Sequence, residues 1–122
     1  MIAAALLLAA ASPDPIIGTW EGTSLCQVKP SPCHDEHVIY RLSLLQPRQY
    51  RIDAYKLVAG KEDFMGAIDV ALDPAGSELD GPVMSGGQVR GELRLVLKGT
   101  RMSGRMIQAD GTLYHLIEVM KH

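Results

Sequence analysis

The stretch from Val89 to Met120, VRGELRLVLKGTRMSGRMIQADGTLYHLIEVM, decides the fold. Leu93, Leu95 and Leu97 alternate with Glu92, Arg94 and Lys98. Successive side chains of a β-strand point to opposite faces, so this segment makes one apolar face and one charged face. Gly99-Thr100 breaks the pattern, Arg101 to Gln108 resumes it, and Asp110-Gly111 is a tight hairpin signal. Thr112 to Met120 then sets Leu113, His115, Ile117 and Val119 on one side. Turns this short leave no room for a crossover helix, so these strands pair antiparallel.

The same alternation runs back toward the N-terminus. Ser85-Gly86-Gly87 is a turn, and Glu78 to Met84 is a short strand interrupted by Gly81-Pro82. Pro82 has no N–H to give to a ladder, which places this piece at an edge or a bulge. Asp73-Pro74-Ala75-Gly76 is a strong turn. Phe64 to Leu72 shows Phe64, Gly66, Ile68, Val70 and Leu72 on one face, and Ala59 to Asp63 reads as a polar hairpin loop. Tyr50 to Val58 alternates Tyr50, Ile52 and Ala54 against Arg51, Asp53 and Tyr55. Val38 to Leu45 puts Val38, Tyr40, Leu42 and Leu44 inward, with a turn at Gln46-Pro47-Arg48. Ile16 to Leu25 is the first strand, with Gly18, Trp20 and Gly22 on one face. About eight short strands in series predict an all-β domain, an antiparallel up-and-down barrel, with a β-sandwich as the alternative.

The chain has 122 residues, a net charge of −2 and a pI near 6.0. Its arginines are interleaved with acids, which excludes the basic field that nucleic acid requires. Met1 to Ala11 is an apolar run of signal-peptide length, too short to span a bilayer and ending in small residues before Ser12-Pro13. Cleavage after Ala11 would leave a barrel domain over residues 12–122, periplasmic or secreted and not integral to the membrane. No Lys or Arg precedes the run, so the true start lies upstream or the start codon is misassigned. In an oxidising compartment Cys26 and Cys33 are expected to pair, closing a short loop that stabilises by about 2 kcal/mol in the chain-entropy model.

Ile17-Gly18-Thr19-Trp20 at the head of an all-β chain resembles the Gly-x-Trp signature of the lipocalin and fatty-acid-binding barrels. The resemblance implies a barrel whose Trp closes one end, packed against a basic side chain near the last strand. The family's Arg is absent there, and His115 is the nearest stand-in. The chain is also similar to short bacterial exported proteins with a Gly-Thr-Trp-Glu-Gly start and a Cys-His-Asp-Glu-His-Val block, a likeness that implies fold and export and no activity.

The densest polar cluster is Cys33-His34-Asp35-Glu36-His37. Imidazoles and carboxylates suit Zn²⁺ or Cu²⁺, which makes His34 and His37 candidate metal ligands. Against this, an extended segment sends the two rings to opposite faces, a disulfide removes the Cys33 sulfur, and Asp35 suits a turn cap. Gly-x-Ser-x-Gly, His-Glu-x-x-His and phosphate-cradling loops are missing from the sequence, so neither an enzyme nor a cofactor is expected. Arg51, Asp53, Tyr55 and Lys56 form a polar and aromatic row on the third strand. Five methionines, Met65, Met84, Met102, Met106 and Met120, either line an adaptable pocket or fill a core short of aromatics. The first functional expectation is a small apolar ligand inside the barrel, met by Trp20, Tyr40, Ile52, Ile68, Leu95, Met106 and His115. The alternatives are a protein-interaction module, such as a hydrolase inhibitor docking through the Cys26–Cys33 loop, and a metal-binding loop.

Overall fold

The computed structural model describes residues 14–28 and 32–122. The expected signal segment, residues 1–11, lies outside the described residues, as do residues 29–31 within the disulfide loop. Eight strands follow in chain order: β1 (Gly18–Cys26), β2 (Glu36–Gln46), β3 (Gln49–Val58), β4 (Lys61–Leu72), β5 (Glu78–Ser85), β6 (Gln88–Lys98), β7 (Arg101–Gln108) and β8 (Leu113–Lys121). Each pairs antiparallel with its sequence neighbour, and β8 pairs back onto β1 from Trp20↔Lys121 to Cys26↔His115. The sheet therefore closes as a single up-and-down barrel, and the sandwich alternative falls. Among the described residues no helix is long and apolar enough to cross a membrane.

The inward residues of the alternating strands make one core. Trp20, Val38, Ile52, Leu79, Leu93, Leu95, Met102 and Val119 are fully buried in it. Each such side chain contributes on the order of 1.5–3 kcal/mol by leaving water. The outer face is ruled by cross-strand ion pairs: Arg41 holds both oxygens of Glu62 at 2.6 and 3.0 Å, and Arg51 those of Asp69 at 2.8 and 3.2 Å. Exposed pairs of this kind are worth little individually, and they set register more than stability.

Three side chains expected inside lie outside, and local backbone geometry explains two of them. A bulge between Ala54 and Tyr55 leaves Met65 unpaired, so Phe64 turns outward against Tyr55 and is 56% exposed. A second bulge between Met106 and Ile107 turns Leu113 outward in the same way. One extra residue reverses every side chain beyond it, because the strand period is two. Leu44 sits at the end of β2 by the turn and is also exposed. The expected five-residue loop shrinks to Ala59-Gly60, both at positive φ as a two-residue hairpin turn demands, and Lys61–Asp63 continue the ladder.

Pro82 has the consequence its chemistry foretells. The Asp73 amide donates to the Glu78 carbonyl at 2.9 Å, so by alternation Glu78, Asp80 and Pro82 turn their backbone groups toward β4. Pairing of β4 with β5 covers Ala71↔Asp80 and Leu72↔Leu79, and then it stops. Gly81 permits the last close approach, where a Cβ would lie 2.0 Å from the Asp69 carbonyl oxygen. Beyond it the β4–β5 ladder ends.

The β4–β5 turn is held by Asp73, whose Oδ1 accepts the amides of Ser77 (2.8 Å) and Glu78 (3.1 Å). The Ser77 N–H, and after it that of Glu78, holds the carboxyl below its usual range. A carboxyl lowered by folding contributes stability above its unfolded pKa, and loses it as pH falls through the lower folded value. Asp73→Ala is therefore expected to lower the urea midpoint near neutral pH, with the gap from wild type closing as the pH drops below about 4. A gap indifferent to pH in chemical denaturation would remove the carboxylate from this account.

Candidate functional site

The two ends of the barrel are built differently. At one end residues 14–17 fold across the opening. Trp20 Nε1 donates to the Ile16 carbonyl at 3.0 Å, and Lys121 Nζ donates to the Pro15 carbonyl at 2.6 Å. Asp14 accepts the Ile16 amide at 2.9 Å and the Tyr50 hydroxyl at 2.6 Å. Burial and this bond to Asp14 push the Tyr50 phenol up to about 12. The basic group over the Trp20 ring is Lys121, its Nζ 5.8 Å from the centroid. His115, the expected stand-in, lies six residues back along β8 across from Cys26, at the opposite end.

The other end holds a cavity of about 340 Å³. Ala54, Ile68, Val83, Met84 and Met106 make its apolar wall, with Met65 contributed by the β4 bulge. Its rim carries Pro32, Cys33 and His34 from the disulfide loop, together with Glu36 and Lys56, which pair at 3.7 Å. Ser24, Tyr40 and His115 supply polar groups, and all three are buried. Ser24 Oγ and His115 Nδ1 are 2.8 Å apart. Burial, then the Glu36 charge, pushes the Tyr40 phenol above its ordinary range. The Tyr114 ring meets His115 edge-on at 4.7 Å between centroids.

The expected ligand residues divide between the two halves. Tyr40, Ile68, Met106 and His115 line the cavity. Trp20, Ile52 and Leu95 are sealed in the packed half, where they support the site without lining it. Cys26 and Cys33 form a disulfide with Cα atoms 5.9 Å apart. Asp35 accepts the Cys26 amide at 2.8 Å, the capping role its position suggests. His34 is at the cavity rim, whereas His37 is outside on β2 and bonds Glu21. His122 bonds the other oxygen of Glu21 at 2.6 Å, and the two imidazoles, His37 foremost, hold that carboxyl below its usual range. Among the described residues no three His, Cys, Asp or Glu side chains are placed to hold a metal ion.

Ser24, Lys56 and Tyr114 belong to the site and escaped the sequence reading. Ser24 continues the inward series Gly18, Trp20, Gly22, and Lys56 continues Ile52, Ala54, so alternation alone would have found both. Lys56 therefore leaves the outer row, where Tyr55 instead packs on Phe64 at 5.3 Å beneath Arg41. Tyr114 is the extra residue of the second bulge, which no periodicity marks. No protein-family model matches the chain, and no curated protein matches it.

Proposed function

We propose that this protein is an exported, lipocalin-like carrier that holds one small, predominantly apolar molecule in the open half of its barrel. The cavity of about 340 Å³ carries this reading. An eight-stranded barrel has room either for its own side chains or for one small ligand. Here the half around Trp20 takes the first solution and the half around Met106 the second. The volume falls at the lower end of the ~300–1,000 Å³ usual for ligand sites, and an apolar wall with a few convergent polar groups is their usual composition. The Cys26–Cys33 disulfide supports export, since such bonds persist in oxidising compartments.

The test is native mass spectrometry of the processed protein, purified gently without chelators. A bound mass that organic extraction removes is the expected result. Ala54 lines the cavity, so Ala54→Leu extends a larger apolar side chain into the space the ligand would occupy. The variant is expected to lose the bound mass and to weaken binding of apolar probes about tenfold while its thermal midpoint holds. A bare wild-type chain that also fails to take up any apolar probe would end the carrier reading.

A further inference from the structure

We infer that the molecule this barrel holds carries an uncharged hydroxyl or carbonyl group, bound by His115 where Ser24 fixes the imidazole. This rests on the carrier reading and narrows the class of ligand. Burying a polar side chain costs free energy unless it finds a partner. The relative exposures of Tyr40, Ser24 and His115 are 3%, 4% and 5%, in a cavity whose wall is otherwise apolar. Ser24 Oγ and Nδ1 of His115 satisfy one another at 2.8 Å. Nε2 of His115 has no partner among the described residues. It is not sealed off either: among the described residues the one sealed, unpartnered side-chain polar atom is Asp80 Oδ1, on the outer face. The free ring nitrogen is thus open to whatever occupies the cavity.

Charge then separates the ligand classes. A neutral imidazole donates from one nitrogen and accepts at the other, and a hydroxyl complements it in both tautomers. A carbonyl complements the tautomer in which Ser24 donates to Nδ1. A carboxylate would have to compete with Glu36 for the lysine of the cavity, Lys56, which Glu36 meets at 3.7 Å on the rim. Glu36 sets a negative field over the polar cluster, and the burial that keeps the Tyr40 phenol protonated acts equally against a bound anion. An uncharged polar group avoids both penalties and keeps the hydrogen bond.

Three probes with one skeleton test this on the full-length protein: naphthalene, 2-naphthol and 2-naphthoate, titrated calorimetrically at about pH 7, where the second is neutral and the third ionised. 2-Naphthol is expected to bind about tenfold more tightly than either of the others, the equivalent of one net hydrogen bond. His115→Phe should bring 2-naphthol down to the affinity of naphthalene and leave naphthalene unchanged. Ser24→Ala, the gentler change if His115→Phe misfolds, should weaken 2-naphthol severalfold and again spare naphthalene. The inference is overturned if 2-naphthoate binds as well as 2-naphthol, or if neither variant alters the preference for 2-naphthol. If none of the three probes binds the wild type, the carrier reading falls and takes this one with it.

Discussion

Trp20→Ala is expected to destabilise the barrel by roughly 3–5 kcal/mol, the range found when a large aromatic is deleted from a core that cannot collapse. The ring is fully buried, and the strands beside it are tightly packed at Gly22. A Cβ on Gly22 would lie 1.9 Å from the Glu118 carbonyl oxygen, so the strands there are already as close as they can pack. The indole also anchors the segment across the barrel end through Ile16, and Lys121 rests over its face. Removing it opens a void and frees residues 14–17 together. Total stabilities near 5–15 kcal/mol make this a large fraction of what a domain of this size has. Trp20→Phe keeps most of the volume, loses the bond to Ile16, and should cost about 1–2 kcal/mol. Urea unfolding followed by circular dichroism is the suitable measurement, because Trp20 is the sole tryptophan and its fluorescence disappears with it. A cost below about 1 kcal/mol for the alanine variant would mean that the ring does not cap the core.

Gly104→Ala should be nearly as damaging, for the opposite reason. Gly104 faces inward on β7, and an added Cβ would sit 1.8 Å from the Arg94 carbonyl oxygen and 2.8 Å from the Leu95 Cα. Crowding a packed core by one methyl costs ~1–3 kcal/mol when side chains can move aside. Here the obstacle is the backbone of β6, which cannot move aside as a side chain can, so the β6–β7 ladder must open, and about 3 kcal/mol or more is expected. Gly76→Ala is the control. Its φ of +74° is unfavourable for alanine, but a Cβ there meets open space, so the cost stays near 1–2 kcal/mol. If the two variants unfold at the same urea concentration, the close approach at Gly104 is not what limits the barrel's curvature.

Strand count and strand order were legible in the sequence, because each was written in local terms. Period-two alternation marks a strand whatever surrounds it, and Gly, Pro and Asp mark turns by their own backbone chemistry. The last three strands show this best: Arg101–Gln108 has the bounds expected of it, and the inward set of Leu93, Leu95 and Leu97 is as the pattern implied. Pro82 also announced where pairing would fail, since the missing N–H is a property of the residue itself. About half the candidate site was readable for the same reason. Tyr40, Ile68, Met106 and His115 face inward by parity and all line the cavity.

What the residues alone could not decide is where along the barrel each inward position falls. Trp20, Ile52 and Leu95 share the parity of the cavity residues but lie in the packed half. Their depth depends on the registers of eight strands summed around a closed ring. The exchange of His115 for Lys121 over the Trp20 ring has that origin: both are inward on β8, and the β1–β8 register selects the one opposite Trp20. The bulges at Met65 and Tyr114 are likewise invisible locally, since an extra residue is visible as extra only against its partner strand. The sequence by itself determined the strands, their antiparallel order and, away from the two bulges and Leu44, which side chains face inward, because these obey rules one or two residues long. Only the tertiary structure decided that half the barrel is filled and half is hollow, because that follows from pairings between residues far apart in the chain.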